Sequence, residues 1–165
     1  MLTINSNLSL ATIVANGQPG AGAAALDWAI ARSLSHAGWC GKLPTRKSAN
    51  QTQYDLLETP STGYLQSLAA NVRDSDATIV FTLTPTLSPL GLHAMDAACA
   101  EAKPFLHFRP GVHPKWIANF IARNQIRTLH IVGAREITEP GIAAFVTQSL
   151  DLALCSVTNE MAAAA

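Results

Sequence analysis

Apolar positions along the chain switch between two patterns. From Ala77 to Leu83 the sequence reads Ala-Thr-Ile-Val-Phe-Thr-Leu, too unbroken for a half-exposed strand and suited to a central parallel strand covered on both faces. Leu8–Ala15, Pro104–Phe108 and Thr128–Val132 read as further strands, and Tyr54–Glu58 as a shorter one. Between these runs the spacing becomes helical. Leu26, Ile30 and Leu34 form a stripe ending near Gly38, and Pro60 with Ser61 opens a helix carrying Tyr64, Leu65, Leu68, Ala69 and Val72. Further helices are predicted over Gly91–Ala102, after His113-Pro114 (Trp116, Ile117, Phe120, Ile121), and from Thr138 or Pro140 onward (Ile142, Phe145, Val146, Leu150, Ala153). Residues 1–7 and 157–165 are expected to be flexible ends.

Strands alternating with helices over short connections predict one α/β domain of Rossmann-like type, an open, mostly parallel sheet with helices on both faces. Ligands of such sheets sit outside the carboxyl ends of the strands. The rule assigns residues 16–22, 58–61, 84–91, 109–113 and 133–136 to the ligand edge, and Asp74-Ser75-Asp76 to the opposite edge.

Composition narrows the picture. Acids and bases balance at eleven each and only 13% of residues are charged, so neither a basic nucleic-acid stripe nor an acidic tail is present, and no nucleic-acid partner is expected. Three cysteines, Cys40, Cys99 and Cys155, lie far apart without a CxxC pair, which fits reduced thiols. No signal-peptide pattern opens the chain and no run is long and apolar enough for a membrane span, so the expected location is cytoplasmic, with no membrane partner.

The loops hold the candidate chemistry. Gly17 and Gly20 ahead of a helix can cradle an oxyanion, although a strand-to-helix turn wants glycine for its own sake. Gln18 offers a donor and an acceptor. Asp27 can hold a ligand hydroxyl or simply answer the helix dipole. Thr59 and Ser61 flank Pro60, so one can cap the helix and the other meet an anion. Arg135 follows Gly133 at a strand end, where its fork suits phosphate or carboxylate, the alternative being an ion pair with Glu136 or Glu139. Arg109 is a second candidate clamp. His107, His113 and His130 lack metal-ligand spacing, so no metal site is expected, and Trp28 and Trp39 read as core.

Asn16-Gly17-Gln18-Pro19-Gly20-Ala21-Gly22, Gly38-Trp39-Cys40, Glu58-Thr59-Pro60-Ser61, Asn71-Val72-Arg73-Asp74-Ser75-Asp76 and Val132-Gly133-Ala134-Arg135-Glu136 together resemble the putative molybdenum carrier family. That family is a YpsA-like branch of the superfamily holding the LONELY GUY phosphoribohydrolases, and the resemblance runs in order from about Leu8 to Leu154. Asn16, Pro19, Gly22 and Ala23 stand where the family's opening loop carries other residues. Pro89 and Leu90 replace both glycines of its second motif at Ser88-Pro89-Leu90-Gly91, so that cradle is expected to be lost or remodelled. The acidic stretch after Trp-Cys is shortened to Lys47-Ser48-Ala49-Asn50.

The resemblance and the loops together lead to the expectation of a binder or carrier of a small anionic molecule, a nucleotide, a phosphorylated pterin such as the molybdenum cofactor or a similar oxyanion, and the residues expected to contact it are Gly17, Gln18, Gly20, Asp27, Thr59, Ser61, Arg109, Gly133, Arg135 and Glu136. Two alternatives stay open. One is a nucleoside-monophosphate phosphoribohydrolase with Glu136 or Asp96 as its acid, and the other is a vestigial pocket serving protein interaction. Leu92, Met95, Ala98 and Cys99 on the Gly91–Ala102 helix suggest a homo-oligomer.

Overall fold

In the computed structural model, which describes residues 2–42 and 53–157, the elements run β1 (Leu2–Ile4), β2 (Thr12–Val14), α1 (Ala21–Ala31), β3 (Ser35–Ala37), β4 (Trp39–Cys40), β5 (Leu57–Glu58) and α2 (Tyr64–Arg73). They continue with β6 (Ala77–Phe81), α3 (Pro89–Ala100), β7 (Phe105–Phe108), α4 (Lys115–Arg123), β8 (Thr128–Gly133), α5 (Ile142–Leu154) and β9 (Cys155–Val157). The shortened stretch Lys47–Asn50 and, of the expected flexible ends, residues 1 and 158–165 lie outside the described residues.

Five strands form a parallel sheet in the order β3-β2-β8-β6-β7. Every residue of β6 is buried, as its unbroken apolar run requires. One face carries Ile13, Ala15, Ile79, Phe81, Leu129 and Ile131 under α1, α4 and α5. The other carries Val80 and Val132 under α2 and α3, with Leu68 and Ala94 packed on them. The domain is thus a three-layer α/β structure of Rossmann-like type.

The strand order has a simple reading. With β8 counted first, β2 second, β3 third, β6 fourth and β7 fifth, the spatial order is 3-2-1-4-5, the order of the dinucleotide-binding folds. The reversal between first and fourth strands then lies between β8 and β6. The helix after β8 packs on one face and the helix after β6 on the other, so their loops part there and leave a crevice at the carboxyl edge.

Several local expectations change. Leu34 does not belong to the helix, because α1 stops at Ala31, Ser33 takes φ 57, and the chain returns at once as β3. Tyr54 is not in a strand: it is buried, and only Leu57–Glu58 pair, in parallel with Trp39–Cys40 and apart from the main sheet. The helix expected from Ser61 begins at Tyr64, with Gly63 as its cap residue. Residues 2–4 are not a loose end, since they pair antiparallel with Cys155–Val157 and Asn5 N donates to Leu154 O at 2.8 Å.

Within the sheet, His130 is fully buried on β8 with Nδ1 3.2 Å from Thr78 Oγ1 of β6. Burial pushes its pKa from 6.5 down to about 3, so the folded ring stays neutral while an unfolded one charges below pH 6.5. Stability contributed by this site is present above pH 6.5 and is lost as pH falls toward 3. Between pH 7 and pH 5 the loss should be about 2 kcal/mol. Urea unfolding of the wild type and of His130→Asn at both pH values checks this, the variant being expected to lose less by about that amount.

Candidate functional site

At the carboxyl end of β8, Gly133 lies so close to β6 that a Cβ there would fall 2.3 Å from Phe81 O. The loop that follows is laid against the loop preceding α1. Ala21 N donates to Ala134 O at 3.1 Å and Glu136 N to Pro19 O at 3.0 Å, with Gly20 and Arg135 paired as an isolated antiparallel bridge. Gly20 sits at φ 128, and a Cβ on it would come within 2.4 Å of Ala134 O. In the first turn of α1, Ala21 N donates across this seam to Ala134 O, while Ala23 N donates to Gln18 O and Ala24 N to Gly20 O within the loop and helix themselves.

Two glutamates of the β8–α5 loop take backbone N–H groups around the crevice. Glu136 accepts from Gly141 N at 2.6 Å through Oε1 and from Ala143 N at 3.0 Å through Oε2, which caps α5 and holds its carboxyl below the ordinary range. A carboxylate of the chain thereby occupies the helix end that in this topology commonly faces a phosphate. Glu139 reaches across the crevice, where Leu83 N, just beyond β6, donates to its Oε2 at 2.6 Å.

Beside that contact stand Thr82, His107 and Arg109. The buried Thr82 hydroxyl donates to Thr84 O at 2.7 Å, so it receives the Nε2 proton of His107, also at 2.7 Å, and Nδ1 of the neutral ring is left as an acceptor. Burial first, and then the Arg109 charge, hold His107 below the ordinary histidine range, while Glu139 pulls the other way. Arg109 is half-buried and Arg135 exposed. Neither forms an ion pair among the described residues, including the Arg135 pairs with Glu136 or Glu139 raised by the sequence.

The remaining sequence candidates are placed otherwise. Asp27 Oδ1 accepts from Tyr54 Oη at 2.8 Å and from Gln53 Nε2 at 3.2 Å, and burial together with this carboxylate pushes the Tyr54 hydroxyl well above its ordinary value. Gly17 packs on the same tyrosine and on Leu56. Gln18 is exposed, and its N–H turns back to Asn16 Oδ1 at 3.1 Å. Thr59 Oγ1 donates to Cys40 O and Ser61 O, and Ser61 Oγ accepts from Gly63 N at 3.0 Å, so both belong to the β4–β5 corner. An open groove of about 400 Å³ between α1 and α5 shares Gly20 and Asp27, with Ala23, Ala24, Ala143 and Ala144 making up half of its lining.

The structure therefore brings Gly20, Gly133, Arg135 and Glu136 together along one seam and sets Thr82, Leu83, His107 and Glu139 against it, residues that the sequence offered only as strand positions, a histidine without metal spacing and a possible ion-pair partner of Arg135. Pro89 and Leu90 have not left a cradle at the second motif. Ser88 Oγ accepts from Gly91 N at 3.2 Å, Pro89 takes the first helical turn, and Leu90 packs into the small core. Among the described residues no three His, Cys, Asp or Glu side chains gather as a metal site, and no helix is long and apolar enough to cross a membrane.

Fold and site define a Rossmann-like domain whose strands follow the dinucleotide-binding order from a shifted starting point. The chain belongs to the circularly permuted YpsA SLOG family, whose sequence profile matches residues 13–154. It is similar to a crystal structure at 1.45 Å of a putative molybdenum carrier protein from Syntrophus aciditrophicus SB, with 26% identity, a TM-score of 0.80, and coverage of 88% of this chain and 95% of that one. No functionally curated protein matches the chain.

The seam makes a direct prediction. Gly20→Ala places a methyl group against the Ala134–Glu136 backbone at a φ that side chains rarely adopt, and should cost about 2–3 kcal/mol. Chemical denaturation measures it, with Gly111→Ala as the comparison: Gly111 also has positive φ (88) but open space around it, so its loss should be smaller.

Proposed function

We propose that this protein binds a small molecule bearing an oxyanion, a nucleotide or a phosphorylated pterin such as the molybdenum cofactor, in the crevice between β6 and β8, and carries it without transforming it. The observation that supports this reading is the pair of guanidinium groups at the carboxyl edge, Arg109 after β7 and Arg135 after β8, neither of them in an ion pair among the described residues. Arginine presents a planar fork matched to phosphate and similar oxyanions. The likeness to a protein bearing the name of a molybdenum carrier fits the same class of cargo.

The phosphoribohydrolase reading finds less support. Glu136 has both oxygens committed to backbone N–H groups, and Asp96 is exposed on α3, so neither candidate acid is free within the crevice.

A thermal-shift titration against nucleoside monophosphates, a dinucleotide, inorganic phosphate and molybdate tests the reading. A ligand at ~100 times its dissociation constant adds ~2.7 kcal/mol, which raises the melting point of a domain this size by several degrees. The shift should shrink in Arg135→Ala. A flat response to every compound would reject small-anion binding and favour a role in protein contacts.

A further inference from the structure

The Glu139–Leu83 contact points to a specific position for the ligand's anion, an inference that rests on the anion-binding reading above. Leu83 N–H projects from the carboxyl end of the central strand at the point where the strand order reverses, and the group it meets at 2.6 Å is a carboxylate delivered from the far side of the crevice. We propose that the Glu139 carboxylate is a built-in stand-in for the ligand oxyanion. It occupies the Leu83 N–H beside Arg109 and His107, and an incoming phosphate or molybdate must displace it.

Three features support a displaceable plug over a fixed strut. The backbone of Glu139 is held independently of its side chain, by Glu139 N donating to Arg135 O at 2.9 Å and Ile142 N donating to Glu139 O at 3.1 Å, so the carboxylate can swing away without unwinding the loop. The N–H it takes lies two residues beyond β6, outside the sheet ladder, where its donor is committed to nothing else. The neighbours of the contact are those an oxyanion needs. Arg109 supplies positive charge, and the neutral His107, with Nε2 fixed on Thr82, adds no negative one. Two anions cannot share one N–H in a partly desolvated crevice, so the ligand and Glu139 compete. The device would keep the cleft closed to weak anions and let a ligand in only when its remaining contacts outweigh the internal bond.

Calorimetric titration of inorganic phosphate and of molybdate into wild type, Glu139→Ala, Glu139→Gln and the double variant Glu139→Ala/Arg109→Ala tests this. Glu139→Ala should bind about tenfold more tightly than wild type, the scale of one charge-assisted hydrogen bond. Glu139→Gln, which keeps the shape and removes the charge, should move in the same direction by less, and it carries the test should the alanine variant fold poorly. Removal of Arg109 should abolish the gain. Wild-type binding that the Glu139 variants leave unchanged or weaken would overturn the plug while leaving the anion-binding reading intact. No binding by any of the four proteins at millimolar anion would overturn both.

Discussion

A close backbone approach at Gly20 organises the carboxyl edge of this domain. The loop entering α1 and the loop leaving β8 exchange two hydrogen bonds across a gap that admits no side chain at Gly20, and Gly133 allows an equally tight passage against β6. These contacts fix where the chain leaves the centre of the sheet. From that anchor the β8–α5 loop carries Arg135 to the surface, Glu136 onto the start of α5 and Glu139 across to β6. The chemistry of the crevice follows from geometry set by two residues whose merit is to have no side chain.

The permuted strand order explains why the crevice is there. In the dinucleotide-binding order the first strand lies at the centre and its loop meets the ligand; here that strand is β8, late in the chain, while the order in space is preserved. Yet several N–H groups at this edge are answered from within the chain. At α1 the Ala21, Ala23 and Ala24 N–H groups donate to backbone carbonyls, at α5 Glu136 takes those of Gly141 and Ala143, and Glu139 takes that of Leu83. Charge available to a ligand is left on Arg109 and Arg135. On the proposed reading, such a site would favour ligands with enough oxygen atoms to engage the arginines and still compete for an N–H.

Much of the fold was legible in the sequence, and the reasons are physical. β6 declares itself because a strand buried on both faces needs an unbroken apolar run, and α5 because its inward face repeats at helical spacing. β3 was hidden because Ser35-His36-Ala37 is a half-exposed edge strand with no apolar pattern, its place set by pairing with β2 rather than by its own side chains. The strand order could not be read either, since it depends on contacts between residues more than a hundred positions apart, such as Ile13 with Leu129. In the site, Arg135, Gly133 and Gly20 were visible as charge or glycine at strand ends. The Thr82–His107 bond and the Glu139–Leu83 contact were not, because they form only where three loops meet. Glu136 was legible as a residue of the edge but not as the cap of α5, since it bonds N–H groups five and seven residues ahead, outside the local capping patterns.

The central claim is that small anions enter the crevice between β6 and β8. Backbone amide chemical shifts recorded by NMR while a nucleoside monophosphate, phosphate or molybdate is titrated in would test it most directly. The account predicts saturable shifts centred on Leu83, Thr84 and residues 134–139, with little change at the amino edge around Asp76 and Thr128. Shifts confined to the α1–α5 groove or the β4–β5 corner, or none at all, would contradict it.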